Sequence, residues 1–588
     1  MTQWTPTRWS LEDLLPEPVE ASLEAALAKL ETKTTAFEGY RERLTDDITA
    51  AEFAEVFHLY EAITSLSYRI GGHANLAFAA DTQSQAARNL RDRVDKALTE
   101  IGNRTLFFTL WLKDTSTEAA ARIAPAGSEF HYYVESTRKF KPFTLSESEE
   151  QIINLKDTDG IEAMIGLYDM ITNAFTFNLT VDGEVKQLNR SQLGVYYRHP
   201  SAELRATAFQ ELFRVYGEHS DVLSQIYNHR VRDWHSESIR LRKYPNPIAV
   251  RNLANDIPDD VVETMLDVCE RNNTIYQRYF KLKAKWLGMD KLTRYDIYAP
   301  LSATDKTYEY DYAVDLVLDT FNEFSPRMGE LAQRVFDANH IDSEIRKGKR
   351  GGAFCHSGVP SIVPFVLVNY TGKANDVGTI AHELGHAIHS QMAAHHSILT
   401  FHPSLPLAET ASVFSEMMLT DRLMREEPDP AVRRDILAGA VDDAYATVQR
   451  QAYIALFERR AHQMINDGAS ADEICDAYMA AQEQQFGDTL ILKDDFKWEW
   501  ITIPHSYHVP FYTYAYSFGQ LLVLSLYQQY RREGPSFIPR YLNILSYGGA
   551  EEPIKVLREA GIDPASADFW QGGYDVLSGM VDELEALA

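Results

Sequence analysis

Cysteine is scarce in this chain of 588 residues. Three residues, Cys269, Cys355 and Cys475, cannot build a disulfide framework, which excludes a small secreted scaffold and suits a reducing compartment. Basic charge is also short, with 57 Lys and Arg against 85 Asp and Glu and a formal net charge of −28. So acidic a surface argues against nucleic acid as a partner, because phosphates are drawn by positive potential. No uninterrupted apolar run reaches the ~20 residues of a membrane-spanning helix, so no membrane partner is expected. The opening stretch Met1–Leu15 has no basic region followed by an apolar one. No secretory leader is therefore expected, and the cytoplasm is the expected location. None of these features sets an oligomeric state.

Helical periodicity dominates what is present. From about residue 10 to 240 the chain reads as consecutive amphipathic helices, clearest at 51–80 and 82–101, where apolar residues recur at three and four spacing. The one hairpin pattern is 175–190, which alternates around Asp182-Gly183. It marks the expected end of an N-terminal helical domain, 1–190, with the remainder, 191–588, forming a second domain that carries the chemistry. Tyr244-Pro-Asn-Pro247 breaks the helical pattern, and Ile257-Pro-Asp-Asp260 reads as a helix start. Arg294–Pro300 reads as a short strand or extended loop, with helix following to about 339. Lys347–Gly352 is basic and glycine-rich but lacks the spacing of a phosphate loop, so it reads as a flexible turn. The apolar run Ile362–Val368 contains Pro364, which is acceptable only at a sheet edge. Such an edge could hold an extended peptide by backbone hydrogen bonds, reading few side chains.

The chemistry is expected at Thr371–Met392, where His382, Glu383 and His386 spell His-Glu-x-x-His within a helical pattern. Residues at i and i+4 lie one above the other on a helix, so the two imidazoles can converge on one metal ion. Glu383, about 100° around the helix, borders that ion without binding it and is placed as a general base. Asn375 or Asp376 can cap the helix, Ile380, Leu384 and Ile388 form its apolar stripe, and Gly378 and Gly385 allow a neighbour to approach.

A catalytic zinc takes three protein ligands and leaves a position open. His389 lies about 10 Å along the helix from His382, too far to share one ion. The metzincin continuation is absent, since position 389 is not Gly and position 392 is Met. The next helical segment, Pro406–Met418, places Glu409, Ser412, Val413 and Glu416 along one face. Two acids on a mostly apolar helix call for a compensating cation. Glu409 is taken as the third ligand and Glu416 as support for a histidine. Glu416 itself and the loop residues His395, His396 and His402 remain alternatives.

Together His382–His386, Leu407–Ser412, Arg350–Cys355 and the tyrosine-rich Ile503–Gly519 resemble, in the same order, the oligoendopeptidase F group of the thimet-oligopeptidase family of zinc metallopeptidases. The resemblance runs from about residue 200 to near the C-terminus and more weakly back to about 115. It implies a mainly α, two-lobed, zincin-like fold around a deep central channel, with a small β-sheet near the active-site helix. It implies one zinc ion per chain, held by His382, His386 and Glu409, and short peptides as substrates. Gly352 and Ala353 would let a peptide backbone approach. A tyrosine and a histidine of the 505–518 segment would stabilise the oxyanion, corresponding to Tyr516 and His505, with His508 and Tyr512 as substitutes or substrate contacts.

The expected reaction is attack of a zinc-bound water on an internal peptide bond, with Glu383 as base. A non-catalytic helical peptide-binding scaffold is the alternative. A di-metal carboxylate protein would need a second Glu-x-x-His set, and no matching pair is present.

Overall fold

The computed structural model describes residues 3–301 and 306–588. Met1 and Thr2, part of the stretch read for a leader, and residues 302–305, part of the helix expected after Pro300, lie outside the described residues. The chain is mainly helical with a few short strands. By packing it divides into two units. One comprises Met1–Lys141, Asp305–Glu426 and Gln529–Asp563; the other comprises Pro142–Thr304, Glu427–Gln528 and Pro564–Ala588. This division is discontinuous in sequence and does not fall at residue 190.

The first unit opens with the helices Val19–Glu38, Ala50–Ala80 and Gln85–Asp114, which share a core including Leu23, Phe37, Phe53, Phe57 and Phe108. Side-chain caps start the second and third of these helices. Thr49 Oγ1 accepts the Glu52 N–H while the Glu52 carboxylate accepts the Thr49 N–H, and Ser84 caps the third helix through the Ala87 N–H.

A three-stranded sheet in this unit packs on the motif helix, Ala374–Met392. Phe365–Leu367 is its central strand, parallel to Ile341–Asp342 and antiparallel to Phe354–His356. The expected edge strand is therefore the middle one. Pro364 stops just short of the paired residues, so its missing N–H costs no ladder bond. Phe354–His356, directly after Gly352 and Ala353, is one of the two edge strands.

The basic turn before that strand is locked rather than flexible. Lys349 Nζ donates to the carbonyls of Asp342 at 2.9 Å, Glu344 at 3.0 Å and Val368 at 2.7 Å, and Arg346 forks onto the Asp342 carboxylate with both contacts at 2.7 Å. Buried charges need partners of this kind, and they tie the turn to the sheet.

The second unit contains the hairpin, Phe177–Val181 paired antiparallel with Glu184–Leu188. Asp182 and Gly183 form its two-residue loop with φ of 53° and 83°, the positive values that match the twist of the strands. Phe177, Leu179 and Val181 enter a core shared with Phe209, Phe213, Tyr227, Phe496 and Trp500. Asp259–Arg271 starts directly after Pro258, as the sequence pattern indicates. The three cysteines are unpaired. Among the described residues no helix is long and apolar enough to cross a membrane.

Candidate metal centre

The motif helix is capped by Asp376, whose carboxylate accepts the N–H groups of Thr371 at 2.7 Å and Lys373 at 3.1 Å. Ile380, Leu384 and Ile388 are fully buried, as the stripe predicts. Of the two glycines, only Gly385 serves close approach. A Cβ there would lie 2.6 Å from Ser412 Cα and 2.7 Å from the Ala411 carbonyl oxygen, whereas Gly378 has open space.

That approach delivers the carboxylate, by a route different from the one expected. Residues 406–418 are not one helix: Leu405–Ala408 ends, and a new helix, Ser412–Glu426, begins. Glu409 sits in the break, where its carbonyl accepts the Val413 N–H at 3.2 Å and its carboxylate accepts the Ser412 hydroxyl at 2.6 Å. The break places Glu409 beside the histidines while Glu416, a turn into the next helix, reaches the other side of one ring.

His382 Nε2 lies 3.5 Å from Glu409 Oε2, and His386 Nε2 lies 3.6 Å from the same oxygen. Ligand atoms from all three residues stand within 4.8 Å of one another. Tetrahedral zinc ligands at about 2.0–2.2 Å from the ion are separated by about 3.3–3.6 Å, so the donor set fits zinc in kind and spacing. Glu416 bonds the opposite nitrogen, His382 Nδ1. This keeps a proton on Nδ1 and leaves Nε2 as the free donor.

Glu383 is 6% exposed, and burial, reinforced by the Glu409 and Glu416 charges against the pull of His382, raises its pKa to about 7. Burial opposes charge on His382, yet the Glu416 contact and the surrounding carboxylates outweigh it and carry the pKa to about 9. Burial and the neighbouring His382 shift His386 the other way, downward.

The alternative ligands go elsewhere. His389 is buried and held near a pKa of about 4 by burial. His395 Nδ1 meets the Met392 carbonyl oxygen, His396 Nε2 meets the Ser546 carbonyl oxygen, and the His402 ring stacks on Tyr68. One other trio of possible ligands lies close together among the described residues: Asp157, Asp233 and Glu237. It contains no histidine, and Arg230 at 3.7 Å from Asp233 and Arg242 at 2.7 Å from Glu237 already offset its charge.

Gly352, at φ 78°, and Ala353 lead into the edge strand, and Asn369 Nδ2 donates to the carbonyls of Arg350 at 3.0 Å and Gly352 at 2.8 Å. Asn369 was not singled out by sequence, because a lone Asn after an apolar run carries no periodic signal. The Cys355 backbone amide, which favours the charged form of Glu383, was equally invisible.

In the second unit the tyrosine-rich segment separates into two groups. Tyr507 and Tyr514 are fully buried, Tyr507 stacking on Tyr168 at 3.8 Å and the Tyr514 hydroxyl accepting from Asn255 Nδ2 at 2.9 Å. His505, Tyr512 and Tyr516 form an aromatic trio: His505 stacks on Tyr512 at 5.5 Å, with Tyr516 edge-on to both. His508 lies outside this trio, its Nε2 meeting the Asp169 carboxylate at 3.0 Å.

A His-Glu-x-x-His helix closed by a carboxylate from the following segment, in a mainly α chain, is the donor arrangement of zinc hydrolases. The model for peptidase family M3 matches residues 195–576, more than half the chain, and the chain belongs to that family and is a peptidase. A second model, described as Oligopeptidase F, matches residues 112–177.

Among curated relatives, the chain is 25% identical over 596 residues to oligopeptidase PepF of Bacillus subtilis, covering 98% of this chain and 87% of that one. It is 27% identical over 488 residues to group B oligopeptidase PepB of Streptococcus agalactiae, covering 81% and 80%. A solved structure from Chlamydophila abortus shares the fold with a TM-score of 0.90 at 23% identity, covering 99% and 98%. That of oligoendopeptidase-F from Enterococcus faecium does so with 0.71 at 20% identity, covering 97% and 99%.

Proposed function

We propose that this peptidase is a zinc-dependent endopeptidase that hydrolyses internal bonds of short oligopeptides in the cytoplasm. The observation that carries the reading is the convergence of His382 Nε2 and His386 Nε2 on one Glu409 oxygen, at 3.5 and 3.6 Å. The oligopeptidase names of the relatives support the substrate class, and three unpaired cysteines fit a reducing compartment.

His382, His386 and Glu409 would hold one zinc ion. Bound there, zinc supplies Lewis acidity, drawing the pKa of a water toward neutrality and polarising a peptide carbonyl. Glu416 fixes the His382 ring through Nδ1, and Ser412 fixes the Glu409 carboxylate. Glu383 takes the proton of the attacking water and passes it to the leaving amine. Burial holds this carboxyl above its ordinary value in the metal-free chain, the direction that favours a proton carrier near neutral pH.

The edge strand Phe354–His356, entered through Gly352 and Ala353, is assigned to hold the substrate backbone. Main-chain pairing of this kind tolerates many side chains. His505 and Tyr516 are assigned as donors to the developing oxyanion, with Tyr512 and His508 as substrate contacts.

Digestion of a peptide library of graded length, with and without chelator and read by mass spectrometry, tests the proposal. Internal cleavage confined to short peptides and lost with chelator is expected; cleavage that survives chelation overturns the metal role. Glu383→Gln is expected to keep stoichiometric zinc and to lower kcat by about 10²- to 10⁴-fold.

A further inference from the structure

Burying a carboxylic acid costs free energy that an apolar residue of the same size does not, so a sealed acid with one hydrogen-bond partner is explained by that partner. Glu458 is such an acid. It is fully buried on the helix Arg450–Asn466, its Oε1 accepts the Phe511 N–H at 3.1 Å, and its Oε2 has no partner among the described residues. Burial pushes its pKa up to about 8, so at neutral pH it serves as an uncharged acceptor.

Phe511 needs a restraint. Its φ is 61°, in the left-handed region, and among the five described non-glycine residues with positive φ it is the one with an aromatic side chain. Asp and Asn visit that conformation readily, whereas a bulky side chain resists it. Two groups one turn apart on Arg450–Asn466 hold it there. Glu458 takes the N–H, and the His462 ring lies 4.6 Å from the fully buried Phe511 ring.

Phe511 also divides the aromatic trio along the chain. His505 precedes it on the short helix Pro504–His508. Tyr512 follows it, and the Tyr512 carbonyl accepts the Ala515 N–H at 3.1 Å at the start of the helix Tyr514–Glu533, which carries Tyr516. The backbone angle at Phe511 thus sets where Tyr512 meets the His505 and Tyr516 rings. All of these residues lie in the second unit.

We propose that Glu458 is a positioning residue: by holding the Phe511 N–H it fixes the turn that brings His505, Tyr512 and Tyr516 together. Its effect on turnover rests on His505 and Tyr516 being oxyanion donors, as proposed; the arrangement of the trio does not.

The intact chain labelled with meta-fluorotyrosine reports that arrangement by fluorine NMR, with the Tyr512 resonance assigned from its loss in Tyr512→Phe. Glu458→Met, which keeps the volume and removes the acceptor, and Glu458→Asp, which keeps the carboxyl and shortens its reach, should each move that resonance. Glu458→Gln, which keeps an oxygen in place, should leave it at the wild-type position. On a peptide substrate the first two should lower kcat about 10- to 100-fold with KM nearly unchanged, and Glu458→Gln should restore most of it. Tyr516→Phe added to Glu458→Met should cost less than the product of the two separate losses, since both act through one group. A Tyr512 resonance that Glu458→Met and Glu458→Asp leave in place overturns the proposal, as does one that Glu458→Gln shifts as far as they do. A resonance that moves while kcat stays at wild type upholds the positioning and removes the trio from hydrolysis.

Discussion

Gly385 gives up its side-chain volume to the backbone of Ser412: a Cβ on one would fall 2.6 Å from the Cα of the other. The contact presses the break that carries Glu409 onto the helix that carries both histidines. Gly385→Ala is expected to destabilise the protein by about 1–3 kcal/mol, the usual cost of overpacking, and to weaken zinc binding. Gly378→Ala, on the same helix in open space, should instead stabilise by about 0.5–1 kcal/mol. Thermal melts and zinc titrations of the two variants check this; a Gly385→Ala protein with wild-type Tm and affinity would refute it.

The two acids beside the histidines differ in what they touch. Glu409 faces both Nε2 atoms, whereas Glu416 bonds only His382 Nδ1. Glu416→Gln should therefore weaken zinc about 10- to 100-fold and leave a loadable site. Glu409→Gln should abolish stoichiometric zinc. Metal analysis after dialysis against graded chelator separates them, and the reverse order would exchange their roles.

Glu458 makes stability depend on pH in a defined direction. Its folded-state pKa of about 8 lies above the ordinary value of 4.5, so between those values the folded chain holds a proton that the unfolded chain releases. The unfolded state then binds fewer protons, and stability falls as pH rises from about 4.5 to 8. Glu458→Gln keeps an acceptor for the Phe511 N–H and cannot ionise. Its Tm should decline less over that range than the wild-type Tm, and parallel Tm–pH curves would contradict the burial argument.

His505 and Tyr516 belong to the aromatic trio, while Tyr507 is sealed in the core with its hydroxyl on the Leu223 carbonyl oxygen. Tyr516→Phe and His505→Asn should each lower kcat about 10²- to 10³-fold with little change in KM, as loss of an oxyanion donor does. Tyr507→Phe should cost about 1 kcal/mol of stability and leave kcat near wild type. Steady-state kinetics on one peptide decides among the three.

Local periodicity made much of this legible in advance. The spacing of His382 and His386, the cap at Asp376, the turn at Asp182-Gly183 and the helix start at Pro258 are all set within a few residues, by the 3.6-residue repeat, by side-chain capping and by backbone sterics. These act identically in any chain that contains them, so one sequence determines them.

Contacts between distant segments were decided only by the fold. Periodicity runs Pro406–Met418 as one helix, but Gly385 and Ser412 favour a break that no local rule encodes, and Glu409 lies in it. The apolar run with Pro364 reads as an edge, yet Ile341–Asp342 and Phe354–His356, both too short to be seen by alternation, flank its paired residues. Pairing partners, close backbone approach and the desolvation that raises Glu383 all depend on which remote residues arrive. That information becomes physical only when the chain has closed on itself.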